Sequence, residues 1–215
     1  DGNVIYLAAV AVQHALTPTS EPPLSQTVSF DAGTGRLTVN LGLDEDIAIS
    51  AVNGFSGTVL VTVDGVANSE FGSVAPSAVQ SVLVNGGAGA NAIDLSAITK
   101  SSFTNAGGVA VTVFGGSGID IVLGSDFDDS IDGGAGDDQL AGGVGADTLL
   151  GGGDNDLVSG GSGPDSIDGG TGNDILFGRS GKDTITGGEG NDLILGDRGR
   201  DSLFGNGGND TIFGG

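Results

Sequence analysis

From Gly115 onward the apolar positions of the chain recur every nine residues, and the polar positions recur with them. Read in nines, the chain runs GGSGIDIVL, GSDFDDSID, GGAGDDQLA, GGVGADTLL, GGGDNDLVS, GGSGPDSID, GGTGNDILF, GRSGKDTIT, GGEGNDLIL, GDRGRDSLF and GNGGNDTIF. These are eleven units without an insertion, ending at Phe213. Position 1 is Gly in all eleven, position 6 is Asp in all eleven, and position 8 is Val, Ile or Leu in all eleven. Only positions 7–9 alternate as a strand does, so each unit predicts a short strand with one inward side chain. Those side chains are Val122, Ile131, Leu140, Leu149, Val158, Ile167, Leu176, Ile185, Ile194, Leu203 and Ile212. The Gly-rich remainder predicts tight turns, where glycine supplies positive φ.

Upstream, residues 27–114 alternate on a longer and less regular scale. Val28/Phe30, Leu37/Val39/Leu41, Ile47/Ile49, Val59/Val61/Val63, Val82/Val84 and Val109/Val111/Val113 each fall on one side of a short strand. Gly, Asn and Asp stand between these runs, as turns require, and no helical period is visible. Residues 1–15 form an apolar arm. Residues 16–26 hold three of the five prolines and read as an extended linker that spans up to about 34 Å. The series Val82, Ile93, Val111, Val122 and Ile131 predicts that residues 27–114 continue the repeat region as an irregular β-helix. A separate β-sandwich is the alternative for that region.

The nine-residue pattern GGxGxDxUx, where U is a large apolar residue, resembles the RTX or haemolysin-type calcium-binding repeats over residues 115–213. A weaker echo, GGAGANAID, lies at 86–94, with Asn91 in the place of Asp. The resemblance implies an all-β fold: an elongated parallel β-roll or β-helix, a right-handed solenoid. Its six-residue turns bind calcium, three-residue strands lie between them, and two nonapeptides make one coil. Equivalent residues two units apart then stack, and position 8 builds two facing aliphatic columns. The departures are Phe127 and Asp154 at position 4, and Ser125, Arg179, Asp197 and Asn206 at position 2.

Charge gives the repeat a second meaning. The 215 residues include 44 Gly, 28 Asp or Glu and six Lys or Arg, for a net charge of -22. Such a surface repels phosphate backbones and argues against nucleic-acid binding. There is no Cys, so disulfides, zinc fingers and iron–sulfur centres are excluded. A single His, His14, leaves triad or multi-His chemistry without material, and no enzyme is expected. The longest apolar run, Val4 to Val12, is far short of a membrane span. The chain has no Met, so Asp1 is expected to arise by processing rather than as a translation start.

The invariant carboxylates are Asp120, Asp129, Asp138, Asp147, Asp156, Asp165, Asp174, Asp183, Asp192, Asp201 and Asp210. A turn accepts Asn as readily, as position 5 shows at Asn155, Asn173, Asn191 and Asn209; invariant Asp asks for charge. Stacked every ~4.8 Å, two carboxylates repel by about 1 kcal/mol in water and about 3–4 kcal/mol at an effective dielectric of 20. A cation between successive turns reverses the sign. Calcium suits a site of carboxylate and carbonyl oxygens only; magnesium prefers a tighter octahedron and keeps its waters. Zinc and copper favour His or Cys. The candidate carbonyl ligands are those of Gly115, Gly133, Gly142, Gly151, Gly160, Gly169, Gly178, Gly187, Gly196 and Gly205. With each ion bridging one turn and the next but one, eleven turns allow at most nine ions. Nine dications nearly offset the net charge of -15 (19 acids, four bases) that residues 115–215 carry.

Low-affinity sites of this kind fill where free calcium is near millimolar, outside the cell, and the resemblance implies bacterial secretion. Two function classes follow. One is a structural or assembly protein of an extracellular fibre or matrix, rigidified by calcium. The other is a folding and export module cut from a larger secreted toxin or hydrolase. Self-association is expected through an apolar stripe at positions 7 and 9 of the odd repeats, carried by Ile121, Leu157, Ile175, Phe177, Leu193, Leu195 and Phe213, or through the N-terminal arm. Arg179, Lys182, Arg198 and Arg200 make the later even turns basic, and Asp44, Glu45 and Asp46 form an acidic turn.

Overall fold

A computed structural model describes residues 4–5, 27–41, 46–52, 58–63, 66–68, 75–104 and 107–215. The rest of the arm with His14, the linker 16–26, and Asp44 and Glu45 lie outside the described residues. Two sheets face each other. Among the described residues one has eleven strands and is fed by the odd repeats; the other has ten and is fed by the even repeats. We call them the odd and even sheets.

Each repeat strand pairs in parallel with the strand two units further along the chain. In the odd sheet Val122 stands on Leu140, then Val158, Leu176, Ile194 and Ile212. In the even sheet Ile131 stands on Leu149, Ile167, Ile185 and Leu203. The position-8 side chains from Val122 to Ile194 are at most 3% exposed and meet between the sheets. The last coil is the exception: Leu203 is half-buried and Ile212 is 44% exposed, because no coil covers them.

Most strands are longer than the expected three residues. They run six or seven residues, as in Leu157–Ser162 (6 residues) and Ile175–Gly181 (7 residues), through positions 1–3 of the following unit. The ladder follows the chain into the turn, with Gly152 paired to Gly170 and Gly143 to Gly161. Position 2 takes a positive φ of 61–114° in ten of the eleven units. Arg179, Asp197 and Asn206 adopt it without being glycine, at a cost of about 1–2 kcal/mol each.

Both sheets continue without a break into residues 27–114, and the coils lengthen. Val113 stands on Val84, and Val84 stands on Val39, so each of these coils is longer than two nonapeptides. Val122 stands on Ile93, which stands on Ile47. The expected series is therefore corrected at one step: Val113, not Val111, stacks on Ile131, and Val111 stacks on Val82. The extra chain between Val84 and Val113 sends Leu95, Ile98 and Phe103 into the core, each at most 1% exposed. At the N-terminal end the ladders turn antiparallel. Thr27–Asp31 pairs with Arg36–Asn40 and with Val4–Ile5, and Thr58–Val63 pairs with Asp46–Val52 and with Val66–Asn68. Val4–Ile5 of the arm thus pairs within its own chain. Among the described residues the only helical element is the 3-10 turn Pro76–Ala78, and no helix is long and apolar enough to cross a membrane.

Candidate metal centre

The position-6 aspartates sit where each turn enters its strand, and the stacking of alternate units lines them up in two columns. Those from Asp120 to Asp192 are at most 3% exposed; Asp201 and Asp210, in the last coils, are half-buried. One carboxylate oxygen of each, Asp129 excepted, is tied to the coil before it. The backbone N–H of Asp120 donates to Asp138 Oδ1, that of Asp138 to Asp156, of Asp156 to Asp174, of Asp174 to Asp192 and of Asp192 to Asp210, at 2.8–3.0 Å. The other column runs from Asp129 through Asp147, Asp165 and Asp183 to Asp201 in the same way, at 2.9–3.0 Å.

The second oxygen is left over. Oδ2 of Asp120, Asp138, Asp147, Asp156, Asp165, Asp174, Asp183, Asp192 and Asp201 is buried and accepts no hydrogen bond. A buried carboxylate oxygen without a donor carries a large desolvation penalty. Burial accordingly pushes eight of these carboxyls above the ordinary value of 3.8: to about 6 for Asp138, to about 7 for Asp156 and Asp165, and upward for Asp120, Asp147, Asp174, Asp183 and Asp192. Neighbouring Asp charges add to the rise in most of them.

The position-1 glycines are shaped around these oxygens. A Cβ on Gly115, Gly133, Gly142, Gly151, Gly160, Gly169, Gly178, Gly187, Gly196 or Gly205 would come within 3.0 Å of Oδ2 of its own unit's aspartate. In eight of these ten the same Cβ would also meet the position-1 carbonyl oxygen of the next coil, which for Gly196 is that of Gly214. A carboxylate and a carbonyl oxygen thus converge beside a glycine that cannot be replaced without filling the space. This is the donor chemistry of a hard cation. Among the described residues no three acidic or His side chains converge on one point, so any ion there depends on backbone oxygens as well.

One turn keeps the glycine geometry, a Cβ on Gly124 meeting Asp129 Oδ2 and the Gly142 carbonyl oxygen, but changes the hydrogen bonds. In unit 124–132 Ser125 donates its hydroxyl to Asp129 Oδ1 (2.7 Å) and its N–H to Asp129 Oδ2 (2.6 Å). Asp129 therefore has partners for both oxygens, although burial still holds its carboxyl up at about 7. Ser125 is also the one position-2 residue without positive φ, and Phe127 at position 4 turns into the core, 7% exposed. At the head of the other column Asn91 donates its backbone N–H (2.8 Å) and its Nδ2 (3.0 Å) to Asp120 Oδ1. The sequence marks both sites only as departures from the repeat. The usable signal was Ser-x-x-x-Asp, a local hydroxyl donor for a carboxylate.

The two edges differ outside the columns. On the odd edge Asp137, Asn155, Asn173 and Asn191 form a ladder, each side-chain oxygen accepting the backbone N–H of its counterpart in the next coil at 2.9 Å. On the even edge Arg179 lies 4.3 Å from the Phe177 ring centre and 3.7 Å from Asp197. The apolar stripe lies on the outer face of the odd sheet: Ile121, Leu157 and Ile175 are 40–43% exposed and Phe213 is 56% exposed.

Stacked parallel coils with two internal columns of buried carboxylates define a β-solenoid whose turns carry the donor atoms of a hard cation site. The model of the RTX calcium-binding nonapeptide repeat, four copies long, matches residues 114–149, 150–185 and 186–215. Residues 114–215 of this chain belong to that family. No curated protein and no solved structure matches the chain.

Proposed function

We propose that this is a non-catalytic extracellular protein of bacterial origin whose roll is folded and stiffened by calcium and serves as a building element of a surface fibre or matrix. The carrying observation is the set of nine buried Oδ2 atoms without a donor. The position-6 aspartates and the position-1 glycine carbonyls named above would hold the ions. The family match supports the choice of calcium. Calcium supplies positive charge between carboxylates that otherwise repel, and its binding free energy becomes folding free energy by linkage. Up to nine ions fit the eleven turns. Circular dichroism with and without EGTA tests this: β signal should fall on chelation and return with calcium but not with magnesium. An unchanged signal together with no metal by elemental analysis would refute calcium-dependent folding.

The assembly role rests on the exposed stripe of Ile121, Leu157, Ile175 and Phe213, with Phe177, Leu193 and Leu195 beside them on the same face. Contiguous apolar surface of this kind marks interfaces. Ile175→Ser with Leu193→Ser should abolish higher-order species in light scattering while calcium binding persists. A wild-type chain that stays monomeric in millimolar calcium at high concentration overturns assembly and leaves the alternative, a calcium-dependent folding and export module.

A further inference from the structure

We propose that the turn 124–129 holds no cation and closes a calcium-independent folding seed, formed by the strands between Thr27 and Ile131, on which the calcium-requiring coils assemble. The proposal rests on the calcium reading above, since it sets where calcium dependence begins. Three observations at the turn converge. Ser125 occupies both oxygens of Asp129 through its hydroxyl and its N–H. The backbone at Ser125 lacks the positive φ shared by the other ten position-2 residues. Phe127 is inserted into the core, where most regular turns carry a glycine. The turn is further tied to the loop between Val84 and Val113, with the N–H of Asp126 donating to the Ile98 carbonyl at 3.0 Å. Lys100 stands 5.8 Å from the Phe127 ring centre.

The opposite column begins differently. Asn91 replaces the carboxylate that the repeat would put there; its N–H donates to Asp120 Oδ1 as the ladder does further on, and its Nδ2 adds a second bond. A protein donor therefore stands in the place of a cation at Asp129, and in the other column an uncharged side chain precedes Asp120. Asp120, whose Oδ2 remains without a donor, is the border residue. Apolar burial divides at the same place. Among the described residues, eighteen of the twenty-five buried apolar side chains lie from Leu37 to Ile131, and seven lie beyond. Upstream of the border the core is thick and the carboxylates are few; downstream one aliphatic side chain per unit faces one buried charge.

Hydrogen exchange of the full chain, in calcium and in EGTA, tests this. In EGTA the amides of Ser81–Asn85 and Ala110–Phe114 should stay protected while those of the strands from Gln139 to Gly207 exchange freely. Loss of protection along the whole chain in EGTA overturns the seed and leaves calcium-dependent folding standing. Retained protection along the whole chain overturns calcium dependence and the seed together. Ser125→Ala provides a second reading on the same residues. Removing one of the donors to a buried carboxylate should lower protection of Ala110–Phe114 in EGTA roughly tenfold, with little change downstream in calcium. Unchanged protection in EGTA would overturn the part given to the Ser125 hydroxyl in closing the seed.

Discussion

The strands before Ile131 and the coils after it share two continuous sheets, yet their stability comes from different sources. Towards the N-terminus the coils lengthen, and the extra chain brings Leu95, Ile98 and Phe103 inside. After Ile131 each coil is a pair of nonapeptides, and short of the last one it buries two aliphatic side chains with two carboxylates. Burying a Leu or Ile contributes about 1.5–3 kcal/mol, while an uncompensated buried carboxylate costs several. On the reading proposed above, the repeat coil needs an outside ion for its carboxylates, and the longer coil, with more apolar burial, does not.

The comparison breaks most visibly at the thin core. Ile167→Asp places an unpaired carboxylate where Ile167 is 2% exposed and should cost several kcal/mol, whereas Ser166→Asp, on the exposed outer face, should stay within about 0.5 kcal/mol. Thermal melts in calcium measure both, and equal effects would mean the strand register is wrong. Phe103→Ala should cost about 3–5 kcal/mol and lower the melting temperature with or without calcium. Leu176→Ala should cost about 2–5 kcal/mol and be seen only when calcium is present. A calcium-independent effect of Leu176→Ala would erase the distinction between the two regions.

A smaller effect is expected at the glycines. Gly151→Ala drives a Cβ against Asp156 Oδ2 and the Gly169 carbonyl, while Gly214→Ala meets nothing within 4 Å. Calcium titration of the two variants should show weakened binding for the first and wild-type binding for the second.

Acid should partly replace calcium. Folded Asp138, Asp156 and Asp165 keep their protons up to pH about 6–7, against 3.8 for the ordinary carboxyl. Between those values the folded form binds more protons than the unfolded form, so the calcium-free fold gains stability as pH falls from about 7 towards 4 and loses it as pH rises. Circular dichroism in EGTA should show β signal returning across that window. Calcium affinity should fall over the same window as protons compete for the carboxylates.

The smallest effect is expected on the basic edge. Lys182→Gln removes a cation beside Asp183 and should raise calcium affinity there by less than about tenfold, with the gain shrinking in high salt.

Much of the roll was legible in the sequence. Parallel stacking of alternate units came with the resemblance to the RTX repeats, while the inward position 8, the outward stripe of the odd repeats and the need for charge compensation at position 6 were carried by residue types. A period-two strand between glycine turns leaves one inward side chain per unit. Three features were decided only in three dimensions. The ladder extends through positions 1–3 because facing turns pair once they are stacked. Leu95, Ile98 and Phe103 are core because a longer coil must bury its excess chain, and no alternation announces that. Asn91 closes one column because the longer coil lays it against Asp120, far along the chain. Ser125 is near Asp129 in sequence, but it meets both oxygens in a turn reshaped by Phe127, which the neighbouring long coil draws into the core. The repeat, being local, wrote its structure into every unit; the boundary depends on contacts between coils, and so belongs to the tertiary structure.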